Sequence, residues 1–218
     1  MNETAPFVIF GCGFFVFPFA SNKIRSYLCS TKMAIIMKSL YNENVAINAI
    51  LYLLKRMNGT CDIHKVCKML YYADQFSLAH FCRSVTGDTY IAMPYGPAPS
   101  NIEDGFKGLR GTKFYVSRDA IKNLEKAIAF QNKYCIKALS LPNEDYLSNS
   151  DIESLDYAFD KCKDLSFSQL TEMSHDLAWN ESKKNGEMSI KDIMREAKCS
   201  EEYIDYVFSQ EQIQLSLL

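Results

Sequence analysis

Among the acidic and histidine residues of this sequence, Asp74 and His175 are the candidates for acid–base chemistry. Asp74 falls on the apolar stripe of a predicted helix, where a carboxylate needs hydrogen-bond partners. His175 precedes Asp176, and such a pair can serve a nucleophile that lies elsewhere in a chain. A hydrolase that uses Asp74 and His175 is therefore one hypothesis. The interpretation we prefer is structural: the imidazole bonds a buried carboxylate such as Asp74, or at least both side chains belong to one buried polar network.

A second group, Cys61, His64 and Cys67, repeats a potential metal ligand every third residue. Ligands at this spacing fan out around a helix, and no fourth ligand is evident. Structural cysteines beside a surface histidine are the favoured interpretation, so we expect no metal and no cofactor. The sequence also lacks a glycine-rich phosphate loop, a G-x-S-x-G elbow and an H-E-x-x-H motif. These absences favour a protein that is not an enzyme.

A rigid elbow follows the helix that carries Asp74. Its sequence, PYGPAP at residues 94–99, has three prolines in six residues, and each proline fixes φ. An apolar loop with little backbone freedom loses little entropy when it is immobilised, so it suits a protein interface. Tyrosine is common among the residues that dominate such interfaces, which makes Tyr95 the predicted centre of this one. The predicted partner-binding residues are Met93, Pro94, Tyr95, Gly96 and Pro97.

Three separated motifs carry a resemblance to a known family. They are KMLYYAD at residues 68–74, GDTYIA at 87–92 followed by YGPAP at 95–99, and SHDLAW at 174–179. In order and spacing they resemble the Panacea domain, the SocA-like antitoxin family of bacteria and their phages, over roughly residues 43–179. Ala98 and Ser174 stand where the family usually has valine and threonine, and Cys82 stands where a glycine is common.

The resemblance implies an antitoxin that binds a cognate protein toxin and blocks it without catalysis. It leaves open an adaptor that delivers the toxin to a protease. We expect Asp88 after Gly87 to form a turn, and Tyr71, Tyr72 and Tyr90 to be buried, hydrogen-bonding aromatics. The motif residues to which we assign structural roles are Tyr72, Asp74, Gly87, Asp88, Tyr90, His175 and Trp179.

The composition is that of an ordinary globular protein. The chain has 218 residues, 48% hydrophobic and 23% charged, which is enough for one substantial core. Its net charge of −2 lacks the basic footprint of a nucleic-acid-binding protein. We therefore predict a protein partner and no nucleic acid. Its eight cysteines form no CxxC pair, as expected of reduced thiols in a cytoplasm, the predicted location.

Residues 1–36 differ in composition from the rest of the chain. The segment FVIFGCGFFVFPFA, residues 7–20, is shorter than the roughly 20 residues that a membrane-spanning helix needs. Glu3 precedes it, whereas a secretory signal has basic residues there. We predict that residues 1–36 are a leader outside the native fold, that the domain covers residues 37–218, and that no membrane is involved. A hydrophobic arm packed on the domain or on a partner is the alternative.

The elements that must position these residues are mostly helical. Asn42 is predicted to cap a helix that runs to about Met57 and ends at Asn58-Gly59, and Asp62 is predicted to cap the next. A short helix is expected from residue 100 or 101 to 106. Gly105, Gly108 and Gly111 are expected to break the chain there.

The C-terminal half is predicted from weaker signals. Short strands are expected at residues 114–116 and 135–139, with a helix over 119–131 between them. Capping-box spacing places helix starts at Ser150, Ser166 and Ser189, and Ser200 opens the last helix. The predicted fold class is α-rich α+β: a single compact, mostly helical domain with a small antiparallel β element.

Overall fold

The structure, a computed structural model, describes residues 41–215, and the side chains of residues 41–209. The predicted leader at residues 1–36 lies outside the described residues and stays a prediction. Among the residues that are described, no helix is both long and apolar enough to cross a membrane.

The described residues form a mostly helical fold with two small antiparallel sheets, which confirms the predicted fold class. The helices are α1 Glu43–Arg56, α2 Ile63–Phe81, α3 Ser100–Leu109, α4 Arg118–Ala127, α5 Asn149–Cys162, α6 Phe167–Ser174, α7 Leu177–Asn180, α8 Ile190–Glu196 and α9 Glu201–Leu215. The strands are β1 Thr60–Asp62, β2 Tyr90–Met93, β3 Gly96–Pro99, β4 Ile128–Phe130 and β5 Cys135–Ala138.

The central element is α2, which packs along α5 and also contacts β3, α6 and α8. Leu70 and Tyr71 on α2 are completely buried, as are Leu155 and Ala158 on α5. Burying one large apolar side chain contributes about 1.5–3 kcal/mol relative to leaving it exposed. The interface between α2 and α5 is therefore a main source of stability, and it makes α2 a firm base for the residues along its other faces.

The first two helices begin and end where local signals place them. Asn42 accepts hydrogen bonds from the N–H groups of residues 44 and 45, and Asp62 accepts one from that of residue 64. Asn58 and Gly59 follow α1 with φ angles of 58° and 88°. Positive φ cannot continue a right-handed helix, so the chain turns there into β1.

Two glycines predicted to break the chain lie inside α3 instead. A Cβ atom at Gly108 would lie 2.2 Å from Cδ1 of Ile121, and one at Gly105 would lie 3.0 Å from Cδ2 of Leu124. Both glycines therefore allow α4 to approach α3 closely, and tertiary packing outweighs their low helix propensity. Only Gly111, with a φ of 68°, follows the end of the helix as predicted.

The segment between α3 and β5 also differs from the prediction. Residues 114–116 form no strand, and the N–H of Tyr115 donates to the Asp104 carboxylate instead of a ladder. Helix α4 ends at Ala127 because the next residues enter β4, which pairs with the correctly predicted β5. Ile128 is buried in that sheet, and this burial decides the switch from helix to strand.

The three predicted capping boxes have different outcomes. The box of Ser166 at the start of α6 is confirmed. At the start of α5 the box is formed by Ser148 with Asp151, two residues before the predicted position at Ser150. Ser189 precedes α8 but makes no side-chain capping bond. Ser200 accepts from the N–H of residue 203, as expected for the start of α9.

The predicted rigid elbow is a β-hairpin formed by β2 and β3. Met93 pairs with Gly96 across a two-residue turn, Pro94-Tyr95, which we call the hairpin turn. The outer edge of β2 is covered by a bridge between Ile91 and Glu187. The other sheet, in the order β1-β5-β4, is antiparallel throughout.

Candidate partner-binding site

Asp74 is 1% exposed and anchors the loop that leads into the hairpin. One carboxylate oxygen accepts from the N–H groups of Val85 at 2.6 Å and Thr86 at 3.2 Å. The other accepts from the hydroxyl of Thr86 at 3.0 Å and that of Tyr90 at 2.7 Å. Burial raises the pKa of this carboxyl to about 6, although the hydrogen bonds act in the opposite direction. The role of Asp74 is therefore to fix residues 85–90 on α2.

The predicted pairing of Asp74 with His175 is wrong. Nε2 of His175 is buried without a hydrogen-bond partner among the described residues, and the ring stacks on Trp179 with centroids 3.7 Å apart. Both oxygens of Asp74 are occupied by residues 85–90. The acid–base pair required by the hydrolase hypothesis is therefore not assembled.

The carboxylate that links the last motif to α2 is Asp176, the neighbour of His175. It accepts a 2.7 Å hydrogen bond from the hydroxyl of Tyr71, and burial raises its pKa. The ring of Tyr71 meets that of Tyr90 edge-on, with centroids 5.1 Å apart. Tyr71 and Tyr90 are thus buried, hydrogen-bonded aromatics, as predicted. Tyr72 is also buried, but its hydroxyl has no hydrogen-bond partner among the described residues, so that part of the prediction is wrong.

Asp88 was predicted to form a turn. In the structure its carboxylate also bonds the first turn of a distant helix, α3. It accepts from the N–H groups of Asn101 and Ile102, both at 3.0 Å. Pro99 at the start of α3 has no side chain that can cap the helix, so Asp88 supplies that cap from across the hairpin. Gly87 beside it has a φ of 69°, where glycine is favoured. The hydrogen bonds of Asp88 thus join the base of the hairpin to α3.

Three side chains hold the hairpin by bonding its carbonyl oxygens. Nε1 of Trp179 donates to the carbonyl of Met93 at 2.9 Å. Nε2 of His64 bonds the carbonyl of Tyr95 at 3.1 Å, and since a carbonyl can only accept, this nitrogen carries the proton. Nζ of Lys68 donates to the carbonyl of Pro97 at 2.8 Å. The turn is therefore fixed from both α2 and α7.

Gly96 allows the hairpin to lie directly on α2 and α6. Its φ is 91°, and a Cβ atom there would lie 2.1 Å from Oγ of Ser174 and 2.8 Å from Nζ of Lys68. No other residue fits this position without displacing those groups. At Gly96 the hairpin motif thus meets Lys68 of the first motif and Ser174 of the last.

The five predicted partner-binding residues differ in exposure. Pro94 and Tyr95 are exposed, and Tyr95 leaves 61% of its surface free. Met93 is half-buried, whereas Gly96 and Pro97 are buried. Contact with a partner is therefore open to the side chains of the turn itself, while Gly96 and Pro97 support it from below.

A groove of about 630 Å³ lies beside the hairpin turn. Three exposed aromatic rings surround it, which we call the aromatic rim: Tyr95 at 61% exposure, Tyr134 at 57% and Phe167 at 50%. Tyr95 meets Phe167 edge-on with centroids 5.4 Å apart, and His64 lies 4.2 Å from the same ring. Exposed aromatic side chains that converge on one groove are typical of protein-binding surfaces.

Lys68 lines this groove and is only 2% exposed. Burial lowers its pKa to about 8, while nearby thiols, Asp176 and Glu103 act against that shift. None of the ion pairs among the described residues involves Lys68. Its ammonium is therefore a largely protonated, buried charge with a neutral carbonyl as its hydrogen-bond partner.

Sequence reasoning did not single out Lys68, Tyr134 or Phe167 as site residues. Lys68 had a signal, because it opens the motif KMLYYAD. Tyr134 and Phe167 had none, since each reaches the groove only through the fold of a distant segment.

The cysteine and histidine group has separate roles in the structure. Cys61 and Cys67 are buried, and burial raises the pKa of the Cys61 thiol to about 12. His64 instead holds the hairpin turn. Residues 41–209 contain no cluster of three histidine, cysteine or acidic side chains that could hold a metal ion.

The family model described as antitoxin SocA-like, Panacea domain, matches residues 66–180. The matched range begins in α2, includes the whole hairpin, and ends with α7. It therefore contains Asp74, Lys68 and Trp179, which position the hairpin. No curated protein and no solved structure matches the chain.

Proposed function

This chain belongs to the SocA-like, Panacea-domain family of antitoxins, and from that premise we propose that it neutralises a cognate protein toxin by binding it directly. The proposed contact surface is the hairpin turn with the aromatic rim. Tyr95 is the proposed energetic centre of the contact.

The observation that carries this proposal is the rigid presentation of an exposed tyrosine. Tyr95 is 61% exposed, yet the carbonyls of Met93, Tyr95 and Pro97 are each held by a side chain from a helix. A fixed backbone has little conformational entropy left to lose on binding. Large aromatic side chains in such positions contribute most to many interfaces, and tyrosine is one of the commonest.

Co-expression of the chain with a candidate toxin from the adjacent reading frame tests the proposal. Tyr95→Ala is expected to abolish protection of the cells and to weaken binding of the purified toxin by about 30-fold or more, which corresponds to a hot spot of about 2 kcal/mol. Tyr115→Ala is the matched control, because Tyr115 is 79% exposed but does not line the groove. A folded Tyr95→Ala protein that binds and protects like the native chain would exclude the turn as the contact surface.

The amount of protein needed for protection separates inhibition from delivery to a protease. Direct neutralisation requires about one antitoxin molecule for each toxin molecule. Protection at amounts far below those of the toxin, together with loss of the toxin from the cells, would replace this proposal with a proteolytic adaptor.

The proposed location is a cytoplasm. Cys61, Cys67 and Cys162 are buried free thiols, which supports a protein that works in a reducing compartment. The net charge of −2 supports a protein partner over nucleic acid.

A further inference from the structure

We propose that the groove beside the hairpin turn receives an acidic side chain of the protein partner, whose carboxylate pairs with the ammonium of Lys68. The inference rests on the proposed function, since it specifies the chemistry by which the same surface recognises a toxin. Its occupant is an aspartate or glutamate side chain on an exposed segment of the partner, next to an apolar residue.

The charge of Lys68 is the first support. An ammonium has three N–H donors, and among the described residues Lys68 donates one hydrogen bond, to the carbonyl of Pro97. Lys68 is a buried residue without an ionic partner among residues 41–209, and such a charge is costly, whereas a carboxylate would compensate it and strengthen the hydrogen bonding. A Cβ atom at Gly96 would lie 2.8 Å from the same nitrogen, and both Gly96 and Lys68 line the groove.

Asp176 and Glu103 act on Lys68 through space, but neither forms an ion pair with it. Asp176 accepts hydrogen bonds from the hydroxyl of Tyr71 and the N–H of Trp179. The other cation of the groove, Arg110, cannot compensate an ammonium, and it donates to the carbonyl of Lys133 and lies over the ring of Phe130. The titratable and charged groups that face Lys68 or line the groove are His64, Cys67, Glu103, Cys162 and Asp176 around the lysine, with Asp62, Arg110, Tyr95 and Tyr134 in the groove.

Glu103 also lines the groove. It acts on Lys68 through space but makes no ion pair with it. The lining contains two acidic residues, Asp62 and Glu103, and two basic residues, Lys68 and Arg110, so their formal charges cancel. Attraction of a carboxylate is therefore local to Lys68, which favours one acidic side chain over an acidic stretch.

The backbone of β3 explains why the occupant is a side chain. Proline has no N–H, so Pro97 and Pro99 cannot donate to an added strand. Capture of a chain's terminal carboxylate commonly uses a nest of backbone N–H groups, and the same prolines remove those donors here. A single lysine at the groove wall instead suits a carboxylate on a flexible side chain.

The aromatic rim determines what accompanies the acid. Tyr95, Tyr134 and Phe167 provide apolar ring surface around the groove. An aromatic or branched residue beside the acidic one would pack on these rings. This packing excludes water and thereby strengthens the ion pair.

The test is selection of seven-residue random peptides, displayed between fixed flanking residues so that neither peptide end is free. At pH 7 the native chain is expected to enrich aspartate and glutamate over asparagine and glutamine by roughly ten-fold or more, as one charge-assisted hydrogen bond implies. Lys68→Met is expected to lose this acid preference and to keep the preference for apolar residues. Lys65→Met is the matched control, because Lys65 lies on the same helix but bonds the carbonyl of Lys163 outside the groove.

A pH series on the native chain keeps the test independent of any substitution. The pKa of Lys68 is about 8, so its ammonium is mostly neutral at pH 9.5 while peptide carboxylates stay ionised. The acid preference is expected to be present at pH 7 and lost at pH 9.5. An acid preference that is missing at pH 7, that does not weaken between pH 7 and pH 9.5, or that persists in Lys68→Met overturns the inference.

A second library with free peptide carboxyl ends distinguishes the source of the carboxylate. Enrichment only at the free terminus would overturn the assignment to a side chain. Because no toxin enters these selections, their failure leaves the neutralisation proposal intact. Conversely, a native chain that neither binds the toxin nor protects cells would overturn the neutralisation proposal without changing the peptide result.

Discussion

The indole N–H of Trp179 donates a 2.9 Å hydrogen bond to the carbonyl oxygen of Met93. This bond joins α7 to the last residue of β2, where the hairpin turn begins. Together with His64 and Lys68 it makes the turn rigid although its tip is exposed. Rigidity of the turn is therefore a property that can be weakened at one bond without touching the proposed contact side chains.

Trp179→Phe is expected to loosen the hairpin turn. The substitution removes the bond to Met93, and a net hydrogen bond of this kind contributes about 0.5–1.5 kcal/mol to the free energy of unfolding. Urea unfolding followed by circular dichroism measures the loss, since Trp179 is the single tryptophan and its fluorescence disappears with it. Amide hydrogen exchange should rise in residues 91–98 more than in α1. Unchanged exchange in the hairpin would mean that the bond does not restrain it.

Asp74 and Tyr90 are expected to be energetically coupled, whereas Asp74 and His175 are not. The hydroxyl of Tyr90 donates to Asp74 at 2.7 Å, and no hydrogen bond joins Asp74 to His175 in the described part of the chain. Double-mutant cycles with Asp74→Asn, Tyr90→Phe and His175→Gln measure both couplings by urea unfolding. We expect about 0.5–3 kcal/mol for the Tyr90 pair and less than about 0.5 kcal/mol for the His175 pair. A larger coupling energy for the His175 pair than for the Tyr90 pair would instead support direct pairing of Asp74 with His175.

Local signals predicted those parts of the fold that depend on neighbours in the sequence. Asn42 and Asp62 cap helices that begin one residue later, and the Ser166 box closes within three residues. Gly105 and Gly108 were misread because their role depends on Leu124 and Ile121, which only the packing of α4 brings near. Propensity is a weak prior wherever such tertiary contacts decide.

In the candidate site, too, features set by nearby residues were predictable and features set by tertiary contacts were not. The motifs identified Asp74, the hairpin and Trp179, but not which side chain bonds which. Sequence does not tell whether His175 or Asp176 bonds α2. The two residues are adjacent, and the conformation of the backbone decides which side chain faces that helix. The groove was not predictable, since Tyr134 and Phe167 meet Tyr95 through long-range folding alone.

Asp74 is also expected to make stability depend on pH. Burial raises its pKa from an ordinary value of 3.8 to about 6, so the folded chain binds an additional proton between these values. The stability linked to that proton is fully present below about pH 4 and is lost as the pH rises through 6. The contribution is at most about 3 kcal/mol, at 1.36 kcal/mol for each pKa unit.

Asp74→Asn provides the reference for this measurement because it lacks the titrating group. The free energy of unfolding of the native chain, relative to the variant, should fall between pH 4 and pH 7 in urea titrations of both proteins. A relative stability that increases with pH would show that the hydrogen bonds to Asp74 outweigh its desolvation and keep the carboxylate ionised in the folded state.

Gly96→Ala and Gly59→Ala form a matched pair that isolates the close approach of the hairpin to α2 and α6. Both glycines have positive φ, 91° and 88°, so each substitution carries a similar backbone strain of about 1–2 kcal/mol. A Cβ atom at Gly59 meets nothing within 4 Å, whereas one at Gly96 would lie 2.1 Å from Oγ of Ser174. Overpacking of this kind adds about 1–3 kcal/mol, so Gly96→Ala is expected to destabilise the chain by that much more.

In co-expression at a temperature where both variants are folded, Gly96→Ala should lose protection because the turn must shift, and Gly59→Ala should keep it. Equal unfolding free energies would show that the hairpin does not need this contact, and equal protection would show that toxin binding tolerates a displaced turn.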